Sequence, residues 1–390
     1  MTLLLFFKTL FLIVLVFLTH RFMLLKIVDL QFLAYIAIPV IGMIIIAMGG
    51  KFYKDYVKVH IFIVIGLMAS ALTLDFTLVA LYFISAVSLL LLQTKNTEDY
   101  DIFFSALSVF AIFFSIASWI LFVLMINYDG NASHCNFFYE EPVNTENLSL
   151  YNILGLCHYQ ERDYFGWTLY RMRSFASEPA RFMGYILLPI ALGMFQRKYS
   201  GLRRFCRYYF PVAALSSLST NVIIVSVVYL LFVLLRPRVE ILAKMLLWWL
   251  PLASITLFIV FGSEFLSDLL RQSKFNDIQL FWGSTTRRFD YFLTAIYELR
   301  NAFPFGSDLR YGGSLPITLI LNFGILGVIL YVLLVKDFRR IVSCFREYPF
   351  AIYALLSIMF PIVSINTSGH FLAPSFLIMF YLLVARSKIS

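Results

Sequence analysis

Charge is what this sequence has least of. Only 14% of its 390 residues are charged, while 61% are apolar, and the apolar residues fall in runs of about 15 to 25, which is too greasy for a soluble protein. Within those runs ionisable groups are scarcer still, with Lys8 and Asp75 as the candidates. A charge at mid-bilayer costs from about 2.5 kcal/mol upward, so transporters and pumps that need such groups keep them inside their spans. Their scarcity here argues against an ion-coupled transporter. Four cysteines are too few for a disulfide scaffold, and histidine is missing altogether between 262 and 315. The chain also has no internal repeat, heptad pattern or low-complexity tail. No small-residue cleavage site follows the first apolar run, so that run is expected to stay in the mature protein.

What is present reads as an all-α polytopic integral membrane protein, one transmembrane domain over residues 1–390. Spans are expected at about 3–19, 30–48, 58–74, 76–92, 102–126, 181–195, 208–218, 222–235, 245–261, 316–335, 350–364 and 371–385. That makes about twelve transmembrane helices. The pair around SSLSTN at 216–221 can also be read as one long helix. Lys51, Lys54 and Lys58 gather in one short loop, Arg197, Lys198, Arg203, Arg204 and Arg207 in another, and Lys336, Arg339, Arg340 and Arg346 in a third. These loops share a side when the spans alternate, so they and both termini are expected in the cytoplasm. Arg21 and Lys26 run mildly against the rule, and Lys8 can snorkel. The net charge of +9 is thereby a topology signal and implies no nucleic acid. Asp75 falls at an outer turn. Two large loops, 127–180 and 262–315, are left on the outer face.

Both outer loops are rich in arginine. In the first, Arg171, Arg173 and Arg181 surround Glu178 and Pro179 just before a span. A capped helix with Pro179 in its first turn explains the proline but not three arginines on that face. In the second, Phe289, Phe292, Leu293, Ile296, Leu299 and Phe303 recur at helical spacing, with Arg287, Asp290, Tyr291, Thr294 and Glu298 on the other face. This amphipathic helix would open on Arg287 and Arg288 beside free backbone N–H groups, which suits a phosphate; a membrane-surface helix is the other reading. Cys135 and Cys157 share the first loop, flanked by His134 and His158. A disulfide in an oxidising compartment is expected, with free thiols and a zinc site as alternatives.

Residues 171–335 carry a family resemblance. FASEPARF at 175–182 opens a span, SSLSTN lies between two spans, an arginine-led helix starts at Arg287, and PFG at 304–306 precedes NFGILG at 322–327. In this order they resemble the Wzy-type O-antigen and polysaccharide polymerases, which share an architecture with the O-antigen ligases. The resemblance implies glycosyl transfer, without cofactor or metal, from an undecaprenyl-diphosphate-linked glycan to the next lipid-linked repeat unit. It implies the periplasmic face of the bacterial inner membrane as the place, with membrane lipids and a chain-length regulator protein as partners. Ligase-like members carry a histidine before the span that ends the second loop, where this chain reads Tyr311-Gly312-Gly313-Ser314. That favours a polymerase over a ligase, with a lipid-linked oligosaccharide flippase as the reading from another class.

The arginines then have a chemical task. Guanidinium groups can neutralise a leaving diphosphate through paired hydrogen bonds. Arg173, Arg287 and Arg288 are the expected ligands, with Arg171, Arg181 and Arg310 behind them. Glu178, Asp290 and Asp308 are the carboxylates placed to deprotonate an acceptor hydroxyl, Glu178 first. Tyr291, like Trp167, Tyr170, Trp282 and Tyr311, can stack on a sugar face or simply mark the interface.

One expectation is testable directly. Non-reducing mass spectrometry of a tryptic digest should find Cys135 and Cys157 in one linked peptide, a closure that stabilises the loop by roughly 3 kcal/mol. Two alkylatable thiols in protein from oxidised cells would refute the bond, and near-stoichiometric zinc would favour the metal.

Overall fold

The computed structural model describes residues 2–18, 31–53, 87–128, 159–164, 167–172, 183–216, 319–321, 323–344 and 374–389, with Glu298, Pro304 and Gly306 singly. In chain order these form α1 (Leu3–Ile13), which continues as a wide π-helical turn at Val14–Leu18, α2 (Gln31–Ala47) and α3 (Thr97–Tyr128). A hairpin of β1 (Tyr159–Tyr164) and β2 (Trp167–Met172) follows. Beyond it come a π-helical turn at Met183–Leu187 that leads into α4 (Leu188–Gly193), then α5 (Ser200–Ser216), α6 (Ile325–Cys344) and α7 (Pro374–Ile389).

The starts of α1 and α3 show why helices begin there. Thr2 caps α1, its Oγ1 accepting the Leu5 N–H at 3.3 Å. Asn96 caps α3, its Oδ1 accepting the Glu98 N–H at 3.1 Å, while the Thr94 hydroxyl donates to Asp99 at 2.6 Å. Glu98 and Asp99 place negative charge in the first turn, where free N–H groups favour it. With 32 residues, α3 is about 48 Å long. Its segment Thr97–Ile120 is, among the described residues, the one helix long and apolar enough to cross a membrane.

Contacts along α3 fix how its neighbours run. Lys8 donates to the Gln93 carbonyl at 2.9 Å and Phe17 stacks on Phe110, so α1 runs parallel to α3. The Arg197 N–H reaches Asp101 at 2.9 Å while a Cβ on Gly193 would meet Ser108, so α4 runs antiparallel and Met183 lies at the far end from Asp101. Tyr209 donates to Ser115 at 2.9 Å, several turns above that end, so α5 runs back up. α7 touches the turns at 14–18 and 183–187 and ends with Arg386 against Asp101, so it descends.

The core sits between α3, α4 and α7. Every residue from Tyr185 to Gln196 and from Phe376 to Ser387 is buried, and α4, with α7 as far as Ala385, is accordingly apolar all round. α3 is two-faced. Phe104, Leu107, Ala111, Ser115 and Ser118 are buried, whereas Val109, Phe113, Ile116, Ile120 and Val123 form an exposed stripe of large apolar side chains. The buried serines close on their own helix, Ser105 to Asp101 O at 2.6 Å and Ser118 to Phe114 O at 2.8 Å. Small, self-satisfied side chains let helices approach closely without stranding a donor.

Helices occupy the expected intervals wherever residues are described, with shifted ends. α3 begins five residues before the expected start, and α5 begins at Ser200 rather than about 208, because its amphipathic first half does not read as an apolar run. The expected spans at 58–74, 222–235, 245–261 and 350–364 lie outside the described residues, and so does most of 76–92. The hairpin departs from a helix-only architecture. Its register pairs Tyr159 with Met172 and Tyr164 with Trp167, leaving Phe165 and Gly166 as the two-residue connection that favours antiparallel pairing.

Buried charge also departs from expectation. Besides Lys8, the described residues bury Asp101, Asp337 and Arg386. Asp101 and Arg386 flank apolar runs, so each reads in sequence as an interfacial residue; the fold turns both inward. Arg386 Nη2 lies 3.1 Å from Asp101 Oδ1, and the other carboxylate oxygen accepts the N–H groups of Arg197 at 2.9 Å and Lys198 at 3.3 Å. Lys8 does not snorkel to solvent but bonds to the Gln93 carbonyl.

Breaking this pair should be costly and asymmetric. Asp101→Ala removes the carboxylate shared by a buried guanidinium and two backbone donors, an expected loss of about 3–5 kcal/mol. Arg386→Met leaves the carboxylate held by two N–H groups and should lose less. Thermal unfolding of the purified variants checks the order, and equal losses would show that the backbone bonds contribute nothing.

Candidate functional site

Two pieces of sequence separated by 18 residues meet at the start of α6. Residues 319–321 and Phe323 are helical, and the chain then breaks at Gly324, whose φ of 57° lies in the left-handed region. Such a value is inexpensive only for glycine. The Gly324 N–H still reaches back to Ile320 O at 2.7 Å, and the next N–H, from Ile325, turns to the carbonyl of Pro304 at 2.9 Å. The break folds the first turn of α6 tightly against the preceding segment. A Cβ on Gly327 would collide with the Leu319 carbonyl, backbone that cannot rotate away.

Pro304 of PFG and the 323–327 part of NFGILG are therefore one structural unit, with Gly306 also at a positive φ of 99°. Their union fastens the C-terminal side of the second arginine-bearing stretch to the bundle. Within that stretch Glu298 is helical and half-buried. A segment anchored this way has less conformational freedom to lose when its side chains close on an anion.

The first arginine-bearing stretch is reached through the hairpin. Arg171 lies in β2 opposite Gln160, with Tyr170 opposite Glu161 and Trp167 opposite Tyr164. After Met172 the chain re-enters the described fold at Met183, at the end of α4 remote from Asp101. Arg173, Glu178, Arg181, Arg287, Arg288, Asp290, Tyr291, Asp308, Arg310, Cys135 and Cys157 all lie outside the described residues.

Cys206 and Gln196 are accounted for as structure. Cys206 is a free thiol, buried beside Gly193 and Ser108, a packing position rather than an exposed, electropositive one. Gln196 closes the turn between α4 and α5, its amide donating to Tyr199 O while its Oε1 accepts the Tyr199 N–H at 2.6 Å. Among the described residues no group of three or more His, Cys, Asp or Glu could hold a metal. Sequence reasoning missed the clamp of Asp101, Arg386 and the turn at 197–198, because nothing in the local pattern of 101 or 386 names its partner. The Gly324–Gly327 break left a signal in the paired glycines of NFGILG.

In comparisons with known proteins, no family model, no curated protein and no solved structure matches this chain.

The break makes its own prediction. Gly327→Ala should lower the midpoint of thermal unfolding by several degrees, on the scale of the 1–3 kcal/mol typical of overpacking, because only backbone can yield. Gly201→Ala, where an added Cβ meets nothing within 4 Å, is the control and should leave the midpoint unchanged. Equal midpoints for the two variants would mean that α6 and the 319–323 segment are not in close contact.

Proposed function

We propose that this chain is a polytopic membrane glycosyltransferase that polymerises a surface polysaccharide. It passes the growing glycan from an undecaprenyl-diphosphate carrier to the next lipid-linked repeat unit at the periplasmic face of the bacterial inner membrane. The observation that carries the reading is that the described fold takes hold beside two arginine-bearing stretches: Met183 follows 171–181, and Pro304, within 287–310, is bonded to the first residue of α6.

The membrane setting, with about twelve spans and both termini in the cytoplasm, is supported by two features. The exposed stripe of α3, with Phe113 63% exposed, and a second on α6 at Ile325, Val328, Ile329 and Val332 are large apolar faces that lipid would cover. Gln93–Asp101, Gln196–Ser200 and Arg386 meet at one end of the bundle. That is what an even number of crossings between these segments requires, and the expected spans supply two between Asp101 and Arg197 and six between Lys198 and Arg386.

In the proposed reaction the acceptor sugar hydroxyl attacks the anomeric carbon of the donor, and the lipid diphosphate leaves with the bonding pair. Arg173, Arg287 and Arg288 bind the diphosphate oxygens where negative charge develops, supported by Arg171, Arg181 and Arg310. Glu178 takes the hydroxyl proton, with Asp290 and Asp308 as the other carboxylates, and Tyr291 offers a ring to the sugar. The buried charges described above do not suggest a flippase path, because Asp101 and Arg386 hold each other at one end.

Purified protein in liposomes tests the reading. Diphospholipid-linked repeat should be converted to longer chains, and movement across the bilayer without any change in length would replace the enzyme with a flippase. Arg173→Ala, Arg287→Ala or Arg288→Ala should each reduce polymerisation about a hundredfold, the scale of losing about 3 kcal/mol of transition-state stabilisation. Lysine should rescue only in part, lacking the forked pair of donors. Glu178→Gln should abolish turnover and keep donor binding, and near-normal chain lengths from the alanine variants would remove the diphosphate site.

A further inference from the structure

α5 presents a face that neither the core nor the proposed chemistry uses. Cys206, Phe210, Ala213 and Ala214 are buried, and Tyr209 is bonded to Ser115, so one side of the helix is committed to α3 and α4. The opposite side carries Arg204, Phe205, Tyr208, Val212 and Leu215, all exposed, with Tyr208 at 65%. Because α5 rises from the Asp101 end of the bundle, these residues are ordered along its axis. Relative to Arg204, Phe205 sits about 1.5 Å higher, Tyr208 about 6 Å, and the aliphatic side chains from about 12 Å upward.

Charge on this face has one sign. Arg197, Lys198, Arg203, Arg204 and Arg207 fall within eleven residues, and no acid occurs from 197 to 216. Glu98 meets Lys198 at 3.6 Å, an ion pair with both side chains largely in solvent, which offsets little of that field. The Arg207 guanidinium lies 5.6 Å from the centre of the Tyr208 ring, so the cationic and aromatic levels of the helix are in contact. A basic level, an aromatic level and an apolar level in this order match the headgroup, interface and acyl layers of an anionic leaflet.

We propose that the outer face of α5 is a docking surface for anionic phospholipid, holding headgroup phosphates at the level of Lys198 and Arg204 and acyl chains against Val212 and Leu215. This rests on the membrane reading above and adds a lipid preference to it. The bound lipid pins the Asp101 end of the bundle at the cytoplasmic leaflet. Each cation near an anionic surface contributes roughly fivefold in local lipid affinity, so a charged headgroup should be strongly favoured over a zwitterionic one.

The experiment places a photoreactive benzoylphenylalanine at Phe205, and in separate protein at Phe113, in the full chain held in nanodiscs of equal phosphatidylglycerol and phosphatidylcholine. Mass spectrometry of the adducts reads which lipid is adjacent. Position 205 should favour phosphatidylglycerol by roughly tenfold or more, position 113 should show no headgroup preference, and Lys198→Gln with Arg204→Gln should bring position 205 close to parity. Arg204→Lys should keep the preference, which separates charge from side-chain shape. Equal adducts of both lipids at position 205 in the unsubstituted protein would overturn the proposal, and so would lipid adducts at 113 with none at 205. No lipid adduct at either position would overturn it by removing the membrane reading itself.

Discussion

The carboxylate of Asp101 is the group on which the described bundle depends. It is buried, and a buried charge is tolerable only when its acceptor sites are filled. Here the filling comes from two places far along the chain: the guanidinium of Arg386 and the adjacent N–H groups of Arg197 and Lys198. Since no partner is local, satisfying Asp101 requires α7 to descend to the start of α3 and the turn after α4 to close beneath it. The clamp thus sets helix direction and level together. An apolar contact would tolerate a slide of one turn; this network would not.

Above the clamp, close packing takes over from electrostatics. Ser105, Ser108 and Ser118 on α3 satisfy themselves against their own helix, leaving small surfaces for neighbours, and Gly193 lets α4 approach Ser108 and Cys206. In the proposed membrane setting there is little hydrophobic drive between helices, so this fit and the few polar bonds across it supply the cohesion. The same logic explains the two-faced α3, whose serines point inward while Phe113 and its stripe point out.

The proposed chemistry draws on two stretches that border the described fold. One arginine-bearing stretch leads into Met183, at the far end of α4 from Asp101, and the other is tied through Pro304 to the break at Gly324. Irregular backbone is inexpensive where other protein groups satisfy it, as Pro304 does for Ile325.

How much of this was legible beforehand depends on distance along the chain. Apolar runs located α1, α2, α3, α4 with its π-helical lead-in, and α7 to within about five residues, because hydropathy is a local property, whereas α6 (Ile325–Cys344) lies later than the expected 316–335. The amphipathic half of α5 and the hairpin at Tyr159–Met172 were not located, the first because its apolar face is too narrow to form a run and the second because strand pairing depends on a partner. The arginines, Glu178 and the two outer cysteines were singled out from residue type and spacing, and their mutual placement lies outside the described residues. By itself the sequence determined composition, helix positions and the one-sided basic loops, each written within a window of twenty residues. Only the tertiary structure decided that Asp101 belongs to Arg386, that Pro304 and the 323–327 part of NFGILG are one unit, and which side of α5 is left uncovered, because each joins residues whose local surroundings carry no trace of the other.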